Sequence, residues 1–253
     1  MSQKAQYRPI LVVDAQGFGA RTDSTQLWLR QQVYRIVGSA AEEAGIELGQ
    51  DSQDRGDGAF WLLAADAPKV DLSGRFIAHL RFGLATYARL SSAEAALRLR
   101  VSLHAGDVTG DEHGWAGTEL NTACRLVDLP VLKDTLKAAE KAHLVLAVTE
   151  EWHRVVIRQG HQEVEPDSFR PVAFQAKEVD TRAWIRVPGY ASPPDLPELA
   201  GLPEPDPAPG SAPAAGEPGR PPAGYGTVHG VQINGGTVHG GNYNDHRGGA
   251  QQW

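Results

Sequence analysis

Short apolar runs alternate with long segments of 3.6-residue periodicity in the order strand, helix, strand, strand, helix, strand. Ile10-Leu11-Val12-Val13 reads as a buried strand ending at Asp14. Leu29, Val33, Val37, Ala40 and Ala44 predict a helix over about 22–44. After a polar stretch, Arg55-Gly56-Asp57-Gly58 is a tight turn, followed by the strand Ala59–Leu63. Phe76, Ile77, Leu80, Leu84 and Tyr87 share one face of a second helix over about 72–90. Leu97, Leu99, Val101 and Leu103 alternate with Arg98, Arg100, Ser102 and His104, the pattern of a half-buried strand. A Gly-rich loop and helices over about 118–129 and 131–142 follow. The strand 144–148, a helix near 150–158 and a hairpin over about 172–187 complete the pattern. The predicted class is α+β, with a ferredoxin-like βαββαβ core whose antiparallel sheet is packed by helices.

That topology makes the first and third strands antiparallel neighbours. The Arg55–Gly58 turn then lies at the end of the first strand, so Asp57 sits beside Asp14 although 43 residues separate them. Two carboxylates at adjacent strand ends form a hard, oxygen-rich site suited to Mg²⁺ or Mn²⁺. A pair of such ions can activate a hydroxyl and hold the charge of a transferring phosphoryl group. Gly17-Phe18-Gly19 lies between strand and helix, where backbone N–H groups can cradle a triphosphate. Asn121 and Arg125, spaced i, i+4, share a helix face on which Arg can bind a phosphoryl oxygen and Asn a ribose. Each feature also has a plain reading: Asp14 as a helix cap, Asp57 as turn filler, Arg125 as a surface charge.

Net charge is −7, which gives no general electrostatic footprint for nucleic acid or an anionic membrane. A palm-like nucleic-acid-binding domain is disfavoured on the same ground. Cys124 is the only cysteine, so no intrachain disulfide forms and a reducing compartment is expected. The start of the sequence lacks the apolar stretch of a signal peptide, and no apolar run is long enough to span a bilayer. A cytoplasmic location is the expectation.

Composition divides the chain into a globular part, 1–189, a tether, 190–225, and a tail, 226–253. The tether has eleven prolines, one arginine and no lysine over 191–225, which predicts an extended, disordered linker. In the tail the pentapeptide GTVHG occurs twice, ten residues apart, around Val231-Gln232-Ile233-Asn234. No Asp, Glu, Lys or Arg occurs between Tyr225 and Asn244. β-Branched residues and Gln/Asn in an uncharged segment suit stacked cross-β assembly, although its glycines oppose it. A disordered Gly-rich tail is the plain alternative, and His229, His239 and His246 make a poor metal cage.

DAQGFG, DRGDGAFWLL and RLRVSLHAGDVTGDEHGWAGTELNTACRLVD resemble the catalytic domain of class III nucleotide (adenylate/guanylate) cyclases over about residues 8–188. The resemblance implies two metal ions on Asp14 and Asp57 and transition-state roles for Asn121 and Arg125. It implies a triphosphate-binding Lys177 and a head-to-tail homodimer whose active sites draw on both chains. The implied reaction is attack of the ribose 3′-oxygen on the α-phosphorus, giving a 3′,5′-cyclic nucleotide and pyrophosphate. The family's base-reading positions fall on Gln53 and Gly114, where the usual lysine and aspartate are missing. Adenine, guanine and a pyrimidine all stay open.

The tail is similar to bacterial amyloid signalling motifs, which are related to the RIP homotypic interaction motif. That resemblance implies an NLR-like receptor bearing a matching motif, and an effector switched on by assembly in immunity or cell death. The alternative is a catalytically degenerate cyclase-like adaptor that binds nucleotide or a partner and works through assembly.

Overall fold

Ile10, Leu11, Val12 and Val13 form the centre of β1 (Gln6–Ala15), and all four are fully buried. A strand apolar at consecutive positions has to be covered on both faces, and this one is. The structure, a computed structural model, describes residues 4–176 and 179–195. All of them lie in one unit, Met1–Ala208, whereas the second unit, Pro209–Trp253, falls outside the described residues.

β1 pairs antiparallel with β3 (Gly58–Leu62) on one side and with β4 (Leu99–Asp111) on the other. β2 (Ser52–Asp54) closes the edge beyond β3. The order β2-β3-β1-β4 is the ferredoxin-type arrangement expected from the sequence. The sheet continues through β6 (Leu144–Thr149), which joins β4 in parallel, and then the β7 (Arg170–Ala176) and β8 (Val179–Arg186) hairpin. The expected Gly-rich loop after β4 is a hairpin, because β5 (Gly114–Ala116) folds back on the end of β4.

Helices cover both faces of the sheet. α1 (Asp23–Glu43) and α3 (Arg75–Leu90) place Leu29, Val33, Phe76 and Leu80 against Leu11, Val13, Val101 and Leu103. Thr22 caps α1 by accepting the Thr25 N–H. The helix expected over 72–90 is two pieces, α2 (Lys69–Ser73) and α3, broken at Gly74. A β-carbon on Gly74 would lie 2.6 Å from the Glu163 carbonyl oxygen, so this bend requires the bare backbone. On the opposite face, α4 (Thr118–Val127) sets Leu120, Ala123 and Val127 on Ile10, Val12, Phe60 and Leu62. α5 (Pro130–Ala138) starts on proline, and α6 (Glu150–Val155) is capped by Thr149.

The expectation of a half-buried strand around 97–104 is corrected. Arg100, Ser102 and His104 are buried, as are Leu99, Val101 and Leu103. The polar face of β4 meets partners from β1, α4 and β6 instead of water. Period-2 polarity looks the same for a solvated face and for a buried polar row. The packed part also extends to Tyr190, which lies against Val187 and its neighbours, and to the buried Pro193.

Candidate active site

Asp14 stands near the end of β1, in register with Gly58 of β3 and Arg100 of β4. The next residue, Ala15, donates its N–H to the Asp57 carbonyl at 2.8 Å. This bond brings the second aspartate to the end of β1, as the topology predicted. Gly58 makes the approach possible, since a β-carbon there would sit 1.9 Å from the Val13 carbonyl oxygen. Asp54 holds the turn from within: it accepts the Gly56 N–H at 2.8 Å, Arg30 Nε at 2.7 Å and the Tyr34 hydroxyl at 2.8 Å. Burial opposes ionisation of Asp54, but these donors together bring its carboxyl below the usual range.

The two carboxylates differ in setting. Asp57 is exposed at the turn, whereas Asp14 is only 5% exposed. Burial raises the Asp14 carboxyl to about 6, against the pull of Arg100 and with help from Asp57 and Asp128. Arg100 donates both Nε, at 3.0 Å, and Nη2 to the same oxygen, Asp14 Oδ1. Its Nη1 is buried without a partner, and so is Oε1 of nearby Gln16. Sequence reading placed Arg100 on the strand but gave it no role. The signal was a cation on the polar face of a strand that pairs with the Asp14 strand.

The donor set suits a hard cation. Among the described residues no group of three or more His, Cys, Asp or Glu side chains is placed to hold a metal ion. Two carboxylates, with water and phosphate filling the remaining positions, are the usual provision for Mg²⁺. Ionised Asp14 is favoured by a neighbouring cation, so metal binding would displace its proton.

Gly17-Phe18-Gly19 leads from β1 into a single 3₁₀ turn, Phe18–Ala20, rather than directly into α1. Gly17 is left-handed at φ 71°, and β-carbons on Gly17 or Gly19 would meet nothing within 4 Å. The loop therefore leaves open space beside its backbone. Asn121 and Arg125 are both exposed on α4, with Leu120, Ala123, Leu126 and Val127 turned inward. The C-terminal end of α4 reaches the Asp57 turn, where Asp128 and Arg55 pair at 3.4 Å. The half-buried Cys124 thiol is pushed up by burial.

Gln53 and Gly114 are also brought together. A β-carbon on Gly114 would stand 3.4 Å from Gln53 Oε1, and its φ of 129° disfavours any side chain. Trp115 beside them packs over Gly110 and takes the Arg8 guanidinium on its ring at 5.5 Å. Lys177 lies outside the described residues, as do the repeats of the tail.

No family model and no curated protein matches the sequence. Solved structures do match the fold. Over 75% of this chain and 96% of the other, it superposes on the guanylyl cyclase Cya2 with a TM-score of 0.51 and 16% identity. An adenylate/guanylate cyclase/hydrolase from Silicibacter pomeroyi gives 0.51 and 16%, over 74% and 99% of the two chains. The catalytic core of a rhodopsin-guanylyl cyclase with converted specificity, in complex with ATPαS, gives 0.50 and 13%, over 73% and 98%. The described part of this chain has the mixed α+β fold shared by adenylate and guanylate cyclase domains.

Proposed function

We propose that this chain is a metal-dependent nucleotide cyclase that forms a 3′,5′-cyclic nucleotide and pyrophosphate from a nucleoside triphosphate. The observation that carries the reading is the Ala15–Asp57 backbone bond, which sets Asp57 beside Asp14 on a cyclase fold. Asp14 and Asp57 would hold Mg²⁺ or Mn²⁺, two ions in all, which supply charge neutralisation and activation of the ribose 3′-hydroxyl. Arg100 keeps one oxygen of Asp14 engaged and leaves Oδ2 for a cation. The open Gly17–Gly19 backbone accommodates phosphate oxygens. Asn121 orients the ribose and Arg125 takes charge developing on the α-phosphoryl group. Lys177 is assigned to the triphosphate.

Exposed Asn121 and Arg125 suit a head-to-tail homodimer, in which one copy's α4 faces the other's carboxylates. The neutral Gln53–Gly114 pair reads the base through an amide that can both donate and accept. We further propose that the tail acts as an amyloid signalling motif. It would cluster the catalytic domains, raise their effective concentration, and respond to an NLR-like receptor with a matching motif in the cytoplasm. No helix of the described residues is long and apolar enough to cross a membrane.

A catalytically degenerate adaptor is the second reading. The missing charges at Gln53 and Gly114 favour it. Turnover of all four ribonucleoside triphosphates with Mn²⁺, by the full chain and by residues 1–195, separates the two. A cyclic product names the base, and the difference between the full chain and residues 1–195 measures control by the tail. Bound metal and nucleotide without any product would establish the adaptor.

A further inference from the structure

Buried His104 and half-buried Glu119 form a polar contact for which neither fold nor candidate chemistry accounts. His104 sits on β4 and is 6% exposed; its Nε2 lies 2.6 Å from Glu119 Oε2. Its Nδ1 lies 2.9 Å from the Thr149 hydroxyl, whose oxygen also takes the Trp152 N–H at 3.4 Å. One proton assignment satisfies every group. Thr149 donates to Nδ1, and Nε2–H donates to the Glu119 carboxylate. Burial pushes the imidazole below its ordinary value, against the opposing pull of Glu119.

A second bond runs parallel to the first: the Ser102 hydroxyl donates to the Ala123 carbonyl at 2.8 Å. Ser102 and His104 are two residues apart on one face of β4, and Glu119 and Ala123 are four apart on one face of α4. The strand thus grips the helix at two points one turn apart. Gly106 leaves the room for this, because a β-carbon there would lie 2.3 Å from Glu119 Cγ.

The helix needs such a grip. α4 has ten residues, and its N-cap Gly117 supplies no side-chain bond. A helix that short is marginal alone. Its apolar contacts with the sheet are non-directional, whereas hydrogen bonds fix direction. Each residue turns an α-helix by about 100°. Asn121, two residues beyond Glu119, therefore points away from the gripped face, and so does Arg125, two beyond Ala123.

We propose that Glu119, held by His104, is a positioning residue that fixes the rotation of α4 and so the directions of Asn121 and Arg125. The catalytic consequence rests on the cyclase reading; the helix orientation does not.

The test uses the full chain, with amide exchange of α4 and the Asn121 side-chain amide resonance as readouts besides turnover. Glu119→Ala is expected to speed exchange over 118–127 by about threefold to tenfold, the scale of one lost internal hydrogen bond. It should also move the Asn121 resonance and lower kcat with KM little changed. Glu119→Gln keeps an acceptor for Nε2–H and should restore all three. In a background carrying both Asn121→Ala and Arg125→Ala, Glu119→Ala should cost little further activity. Ser102→Ala releases the other grip, and should speed the same amides even where Glu119→Ala folds poorly. Unchanged α4 exchange and an unmoved Asn121 resonance in these variants would overturn the proposal. So would an undiminished kcat effect of Glu119→Ala in the absence of both the Asn121 and Arg125 side chains. A wild-type protein that turns over no nucleotide would sink the cyclase reading, while exchange and resonance still decide the orientation of α4.

Discussion

At the residue scale, buried charge and bare glycine carry the site. Arg100 and Asp14 are 6% and 7% exposed in their side chains, and each is the other's partner. Replacing Arg100 with Met would leave the Asp14 carboxyl buried and unpaired. The expected loss, read by urea unfolding, is about 3–5 kcal/mol. Gly58→Ala forces a β-carbon into the Val13 carbonyl, and should cost about 3 kcal/mol or more while separating Asp57 from Asp14. His153 gives a pH dependence. It is buried, stacked on Trp184 at 3.6 Å, and its Nδ1 has no partner. Burial, with Arg158 adding, pushes its imidazole down to about 3 from the ordinary 6.5. Because the folded value is depressed, this neutral histidine destabilises nothing above pH 6.5, and the penalty grows as pH falls towards 3. The stability of the wild type relative to His153→Gln should fall across that window by an amount on the order of 4 kcal/mol. A flat difference across it would mean that His153 charges freely in the folded state.

At the element scale, β4 explains most of what the sequence revealed and what it concealed. The pairing of β1 with β3 was legible, because the order of elements admits few topologies and the ferredoxin arrangement puts the turn at the first strand's end. That one inference placed Asp57 beside Asp14. The polar row of β4 was not legible, since Arg100, Ser102 and His104 alternate as a solvated face does. Their partners Asp14, Ala123, Glu119 and Thr149 come from 15 to 86 residues away. The break between α2 and α3 was concealed for a similar reason: the close approach of Glu163 to Gly74 is a tertiary fact. Periodicity sees a helix face, and not what comes to lie against it. Leu80 of α3, fully buried between helix and sheet, gives a direct check of that packing. Leu80→Ala should cost about 2–5 kcal/mol in urea unfolding, whereas the same change at Leu90, 85% exposed, should cost under about 1 kcal/mol.

At the scale of the whole molecule, the described residues have the fold shared by adenylate and guanylate cyclase domains, and the candidate chemistry depends on two carboxylates brought together by a backbone bond. Lys177, the tether beyond residue 195 and the tail repeats lie outside the described residues, so their roles are proposals from sequence alone. Truncation after residue 195 leaves Asp14, Asp57 and the α4 sequence unaltered, and neutralising the carboxylates leaves the tail sequence unaltered. The most direct measurement is cyclic-nucleotide formation in Mn²⁺ by the full-length protein, compared with Asp57→Asn. Asp57 is exposed, so the substitution should fold normally. The account predicts one 3′,5′-cyclic product with pyrophosphate, and a loss of about 100-fold or more when Asp57 is neutralised. Equal product from both proteins would contradict the metal site, and no product from a wild type saturated with Mn²⁺ and each nucleotide would contradict the enzyme.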